Sequence, residues 1–239
     1  EDSVSRIDYS ANKKNRGDFC LWKFNEGGEG LDAREASSAG SPVFEPSWPT
    51  PFGAGRPGWH IEDTAITEKF FGAQYDIHGG GRDIMFPHHE AEITQMESIS
   101  GKAPLAKYWM HTGFLTINGQ KMSKSLNNGI TIDDFLKRYS ASQLRFWIAK
   151  NLWSSPIDYS ESVMIEVASA MEKIEEFLRK IKVIKATKGT GAKHLLANAK
   201  ENFYKELDDD FNTPKAFAVL FEFIKEVNKL LDANSVGKK

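Results

Sequence analysis

Cysteine is nearly missing from this 239-residue chain, in which Cys20 is the only one. A single thiol excludes an intramolecular disulfide and fits a reducing compartment. Charge of one sign is missing too: 31 Lys and Arg stand against 33 Asp and Glu, a net charge of -2 at pH 7. No global field argues for nucleic acid, although a balanced total leaves room for a local basic patch. Long apolar runs are absent. The most apolar, Ala216 to Ile224, is short and interrupted by Glu222, which rules out a helical membrane span of about 20 residues. The first residues, Glu1 to Arg16, lack the apolar stretch of a signal peptide and show neither strand nor helix period. We read residues 1–17 as a linker or the end of a connecting segment, and expect the chain to begin in the middle of a larger protein.

What is present is ordinary for globular protein. With 40% hydrophobic, 12% aromatic and 27% charged residues, collagen, coiled coil and wholesale disorder are excluded. The length suits one large or two modest domains. Between Asn25 and Gly58, Pro42, Pro46, Pro49, Pro51 and Pro57 alternate with Gly53, Gly55 and Gly58, a loop composition. Its later part spends Trp48 among prolines and glycines, so we read Pro46–Gly58 as an ordered loop and Glu29–Val43 as a surface insertion.

From Trp59 to Ile148 the pattern alternates. Asp18–Phe24 is a short apolar run ahead of it, a strand or a helical turn. Ile61–Phe71 has helical spacing and stops at Gly72; Tyr75–His78 reads as a strand ending at Gly79-Gly80-Gly81. Pro87 opens a helix through Ser98, and Tyr108–Ile117 reads as a strand closed by Asn118-Gly119. Thr131 caps a helix over Asp133–Arg138, and Ser142 caps another through Ala149. Such alternation implies a parallel α/β sheet. From Ser160 onward strand signals cease. Ser160–Lys182, His194–Leu207 and Thr213–Leu231 are helical by period, with Val163, Val167, Ala170, Met171, Ile174, Phe177, Leu178 and Ile181 on one face. This half reads as a helical bundle. Its basic stretch Arg179–Lys188 is either a nucleic-acid contact or a solvated helix end.

Three constellations carry chemistry. On a helix, His88 and Glu92 are i and i+4 and project from one face, a metal-ligand spacing akin to helical zinc sites; the alternative is a polar helix face. Asp76 to Asp83 places a strand before three glycines, which lets backbone approach a ligand beyond the strand's carboxyl end. Asp83 there would bind an ammonium or cap the next helix; a plain turn is the alternative. Lys121-Met122-Ser123-Lys124-Ser125 sets two mobile cations on a small-residue loop, suited to polyphosphate.

That pentapeptide is the KMSKS signature, and the chain resembles class I aminoacyl-tRNA synthetases. RPGWHIE (Arg56–Glu62), YDIHGGGRD (Tyr75–Asp83), FPHHEAE (Phe86–Glu92) and YWMHTGF (Tyr108–Phe114) follow one another in the order and at the spacing of the cysteinyl-tRNA synthetase family. LDDDFNTPKAFAVLF (Leu207–Phe221) is similar to that family's helical domain. The resemblance implies an α/β fold: the second half of a Rossmann-like catalytic domain over residues 18–150, then a tRNA-contacting helical bundle over 151–239. The family's HIGH-type signature and first zinc-ligating cysteine have no counterpart here, and Cys20 sits in the wrong block to be that ligand. Asp63 stands where most members carry a second zinc-ligating cysteine, a variant that resembles archaeal-type members. Carboxylate is an acceptable zinc ligand, so Asp63, His88 and Glu92 are the expected metal ligands, with a helix-start residue as the alternative for Asp63.

The resemblance further implies ligation of L-cysteine to tRNA(Cys) through a cysteinyl-adenylate, with ATP as substrate, Mg2+ accompanying it, and Zn2+ as cofactor, in the cytoplasm. Lys121 and Lys124 would be catalytic and touch the phosphates; His78 and Gly80 would line the adenylate; Trp59 and Asp83 would meet the amino acid. Because the first half-domain is absent, two alternatives stand: a cysteine ligase acting on a small amine, and a noncatalytic paralogue that binds tRNA or a synthetase.

Overall fold

The computed structural model describes residues 13–15, 17–24, 46–122, 128–183 and 191–236. The expected insertion Glu29–Val43, most of the linker over 1–17, and Ser123, Lys124 and Ser125 lie outside the described residues. The chain forms two compact units, 1–111 and 112–239.

In the first unit, β1 (Trp22–Phe24) pairs antiparallel with β2 (Gly55–Pro57). Helix α1 (Trp59–Phe71) follows at once and ends at Gly72, whose φ of 79° suits glycine and whose N–H donates to the Glu68 carbonyl. The helix begins two residues before the expected Ile61, which places Trp59 and Asp63 one turn apart on one face. Strand β3 (Tyr75–Gly81) carries on through all three glycines rather than ending at His78, and pairs with β4 (Ala106–Thr112). Helix α2 (Glu90–Ser100) lies between them in sequence and packs on α1. Pro87 does not open α2. A π-turn over Met85–His89 comes first, in which Phe86 is extended at φ -134° and ψ 133°. Proline disfavours the helical region for the residue before it, so the helix cannot reach back through Phe86. Ala91, Met96, Leu105 and Ala106 are buried here, yet so are Thr64, His88, His89, Glu92 and Gln95. The middle of this unit is polar.

In the second unit, the expected long strand is broken at Gly113, where a Cβ would stand 2.1 Å from the backbone carbonyl of Ser155. The chain restarts as β5 (Leu115–Ile117), which pairs antiparallel with β6 (Gln120–Lys121) and parallel with β7 (Ile157–Tyr159). That last strand was not foreseen. Between β6 and β7 lie α3 (Ile132–Leu136), capped by Thr131 as expected, and α4 (Ala141–Ala149). The cap of α4 is Ser140, not Ser142: its Oγ accepts from the Gln143 N–H at 3.1 Å while Gln143 Oε1 accepts from the Ser140 N–H at 2.8 Å. Phe135, Trp147, Tyr159, Met164 and Val167 form the buried core under this small sheet.

Helices α5 (Glu161–Val183), α6 (Gly191–Asp208) and α7 (Thr213–Val236) follow the helical period closely. On α5, Val167 and Phe177 are buried as expected, but Leu178 and Ile181 face solvent, and Met164, outside the expected stripe, is fully buried. Asn212, whose Oδ1 accepts from the Lys215 N–H at 3.4 Å, precedes α7 and leaves Pro214 in its first turn. Among the described residues no helix is long and apolar enough to cross a membrane.

Candidate metal centre

Glu92 sits in the first turn of α2 and is 2% exposed. Burial, and then the nearby Asp63 carboxylate, push its pKa up to about 7. Its Oε2 has no hydrogen-bond partner. A buried carboxyl beside a second carboxylate is costly to ionise, and a cation held between them removes that cost.

His88 supplies the third group. Its Nε2 is 2.9 Å from Asp63 Oδ2 and 3.9 Å from Glu92 Oε1. Asp63, His88 and Glu92 thus bring one ligand atom each to within 4.8 Å of one another, close enough for side-chain adjustment to gather them on one ion with bonds of about 2.0–2.2 Å. On the far side of the ring, His88 Nδ1 is 2.7 Å from His60 Nδ1. A proton shared there leaves the Nε2 lone pair free for a metal, the outer-shell arrangement usual for ligating histidine. Burial lowers the pKa of His88 and of His60, which keeps both rings neutral; the Asp63 carboxylate opposes this at His88. Trp59 covers His88 on its outer face, with centroids 4.1 Å apart.

A second layer of histidines lies behind Glu92. His78 Nε2 is 3.4 Å from Glu92 Oε2, and His78 Nδ1 is 2.5 Å from the Tyr75 hydroxyl. His89 Nδ1 lies 2.8 Å from His111 Nε2. Trp109 stacks on His78 with centroids at 4.4 Å and parallel to His111 at 5.8 Å. Burial lowers His78 and His111 and takes His89 down to about 4, while burial pushes the Tyr75 hydroxyl up to about 12. His78, His89 and Glu92 form a second trio within ligand reach, so the two trios share Glu92.

The remaining expected site residues fall as follows. Gly80 lies under His89: a Cβ there would stand 2.5 Å from His89 Cε1, so glycine is what lets the imidazole approach the strand. Asp83 follows β3 in the turn, with Oδ1 2.4 Å from where a Gly81 Cβ would be. Cys20 is exposed and belongs to neither trio. A cavity of about 710 Å³ lies beside β3, walled by Phe70, Phe71, Tyr75 and His78, and Asp63, His88 and Glu92 do not line it. In the second unit, Lys121 ends β6 with its Nζ 4.8 Å above the Phe114 ring, and Lys124 lies outside the described residues. The turn before it is held by Asp158, whose Oδ1 accepts from Thr116 Oγ1 at 2.6 Å and from the Gly119 N–H at 2.8 Å.

Sequence reasoning did not single out His60, His89, His111, Trp109 or Tyr75. A signal existed: five of the six histidines fall between positions 60 and 111.

Comparison with known proteins sets this geometry in a family. A family model described as the tRNA synthetases class I (C) catalytic domain matches residues 2–169, and a DALR domain matches residues 202–239. The cysteine–tRNA ligase of Methanococcus maripaludis is 45% identical over 97% of this chain and 47% of its own length. Those of Thermodesulfovibrio yellowstonii and Geobacter sulfurreducens are 43% and 40% identical, over 96% and 98% of this chain and 45% and 47% of their own lengths. The chain spans about half the length of the curated relatives it matches. Among solved structures, LeuRS of Agrobacterium radiobacter K84, in a ternary complex with tRNA and LeuAMS, covers 77% of this chain and 29% of its own at a TM-score of 0.58 and 13% identity. Methionyl-tRNA synthetase of Mycobacterium tuberculosis, bound by methionyl-adenylate, covers 74% of this chain and 37% of its own at 0.52 and 17%. Those likenesses give the fold; the family follows from the catalytic-domain model, which spans well over half of the residues, and the chain belongs to the class I (C) tRNA synthetases.

Proposed function

We propose that this chain works as part of a cysteinyl-tRNA synthetase, contributing the metal-binding and KMSKS-bearing half of the catalytic domain over residues 18–150 and a helical domain over 151–239 that meets tRNA(Cys). The observation that carries this reading is the convergence of Asp63, His88 and the buried Glu92 carboxylate, in a chain whose relatives are named cysteine–tRNA ligases. The donor set of one imidazole and two carboxylates fits zinc, and three donors leave a fourth position of a tetrahedral ion unfilled by the trio. Zinc bound there would supply a centre that favours a thiolate over a hydroxyl, and so separates cysteine from serine, a distinction that pocket shape alone makes only modestly.

In this reading the substrate carboxylate attacks the α-phosphate of ATP, pyrophosphate leaves, and the terminal ribose hydroxyl of tRNA then takes the aminoacyl group. Positioning and charge stabilisation are what the protein adds. Lys121 and Lys124 neutralise the charge that grows on the phosphates. His78 and Gly80 lie along the strand that lines the adenylate, Asp83 holds the ammonium, and Trp59 walls the amino-acid pocket over His88. His60 holds the His88 ring in its ligating orientation. The DALR-domain match over 202–239 supports tRNA, rather than a small amine, as the acceptor. We place the reaction in the cytoplasm, in keeping with the single thiol.

The test is cysteine-dependent ATP–pyrophosphate exchange, followed by charging of tRNA(Cys), measured in the enzyme that contains this chain. Lys124→Ala lowers the exchange rate by about 10²–10³, the scale of losing one preorganised charge-stabilising group, with little change in cysteine affinity. Unchanged exchange would remove Lys124 from the chemistry, and exchange stimulated equally by serine would remove the metal from selection.

A further inference from the structure

A carboxylate that binds a metal through one oxygen must have its other oxygen held, or the group rotates away from the ion. In Glu92 the oxygen toward His88 is Oε1, at 3.9 Å from Nε2. The other, Oε2, faces His78 Nε2 at 3.4 Å and is buried with no hydrogen-bond partner. What His78 presents to it therefore matters: an N–H steadies the anion, whereas a bare lone pair repels it. Which of the two occurs is decided at the opposite ring nitrogen, where the Tyr75 hydroxyl lies 2.5 Å from Nδ1. The ring itself has little freedom to turn, because Trp109 stacks on one face at 4.4 Å and His89 meets it edge-on at 4.7 Å.

We propose that Tyr75 is a positioning residue for the metal: its hydroxyl donates to His78 Nδ1, which keeps the ring proton on Nε2, and that N–H directs Glu92 Oε2 so that Oε1 is presented to the ion beside His88. This rests on the metal reading of Asp63, His88 and Glu92. It also settles which of the two trios takes the ion. With Nδ1 accepting from Tyr75 and Nε2 protonated, His78 has no lone pair left to ligate, so the trio of His78, His89 and Glu92 is closed to metal while the trio of Asp63, His88 and Glu92 is open. Tyr75 lies in β3 and Glu92 in α2, so the strand sets the ligand geometry of the helix.

The experiment measures zinc affinity of the enzyme that contains this chain by competition with a chromophoric chelator, for the wild type, Tyr75→Phe, His78→Phe, the double variant and Glu92→Gln. Tyr75→Phe keeps the ring and removes only the hydroxyl. Its zinc affinity falls by about 10–100-fold, the range for losing an outer-shell partner, with the melting temperature of the metal-free chain unchanged. In the His78→Phe background the same change has no further effect, because Tyr75 acts through His78. A readout without metal accompanies it: the ring-nitrogen NMR shifts of His78 report the proton on Nε2 in the wild type, and a shift of the population toward Nδ1 in Tyr75→Phe. Equal zinc affinity of Tyr75→Phe and wild type, while Glu92→Gln loses metal, overturns the role of Tyr75 and leaves the metal reading standing. A wild-type proton on Nδ1 overturns it likewise. Zinc binding that is absent from the wild type overturns the metal reading and this inference together.

Discussion

Trp59 lies flat on His88, with ring centroids 4.1 Å apart and planes 12° apart. Trp59 is 51% exposed and His88 4%, so the indole stands between His88 and solvent. Helix α1 presents Trp59 and Asp63 from successive turns, which places both over the same imidazole. Trp59→Ala removes the stack and frees the ring to tilt. Zinc affinity then falls by about 2–10-fold, the equivalent of one stacked aromatic pair, and Trp59→Phe restores most of it. Competition with a chelator at fixed pH measures both.

Replacing Asp63 tests the metal trio directly. Asp63→Ala costs more zinc affinity than the about 10–100-fold of an outer-shell partner. Asp63→Cys retains the metal, and holds it more tightly, because thiolate is the softer donor. Elemental analysis after dialysis reads the outcome. A wild-type full-length enzyme that carries no zinc yet activates cysteine shows that Asp63 marks selection without a metal.

Gly80 is a packing requirement as well as a strand residue. Gly80→Ala drives a methyl into His89, at 2.5 Å from Cε1. The imidazole packs against both Trp109 and His111, with centroids 5.2 and 4.9 Å away, which limits how far it yields. The expected loss is about 1–3 kcal/mol, as for other overpacked sites, measured by urea unfolding of the metal-free chain.

Glu161 provides the pH test. The Tyr139 hydroxyl, donating to Oε2 at 2.8 Å, and then Arg138, at 2.7 Å from Oε1, hold its pKa below the ordinary 4.5. A folded-state value below the unfolded one stabilises the fold above about pH 4.5, and that stabilisation is lost as pH falls through the folded value. Glu161→Gln therefore melts roughly a degree or two lower at pH 7, as befits an exposed pair, and the difference closes as pH falls through the folded value. Thermal melts across that range decide it; a gap that persists at low pH refutes the assignment.

Much of this fold is legible in the sequence where a periodic signal is long. Helices α5, α6 and α7 run for 23, 18 and 24 residues, enough for the helical period to fix type and extent. Period tells which residues share a face, but not how far the covering partner extends, and so Leu178 and Ile181 are on the expected stripe yet exposed. Strand β7 has three residues after Pro156, too few for alternation to register. Ser140 and Ser142 are both plausible caps by identity; Gln143, three residues after Ser140, is what separates them. At the site, Asp63, His88 and Glu92 are legible from helical spacing and family resemblance. His60, Tyr75, Trp109 and His111 are not, since they come from α1, β3 and β4 and meet only in three dimensions.

The parallel pairing of β5 with β7 has a consequence in time. Thr116 and its partner Asp158 are 42 residues apart, whereas β5 and β6 are joined by Asn118 and Gly119. At a synthesis rate of roughly 5–20 residues per second, the segment of the hairpin leading into KMSKS is made about 2–8 seconds before its parallel neighbour. During that interval one edge of β5 is an open template for any passing strand. Its brevity limits the hazard: three residues offer a stray partner too few backbone hydrogen bonds to compete, and the native partner arrives already attached to α4 and about to be extended by α5.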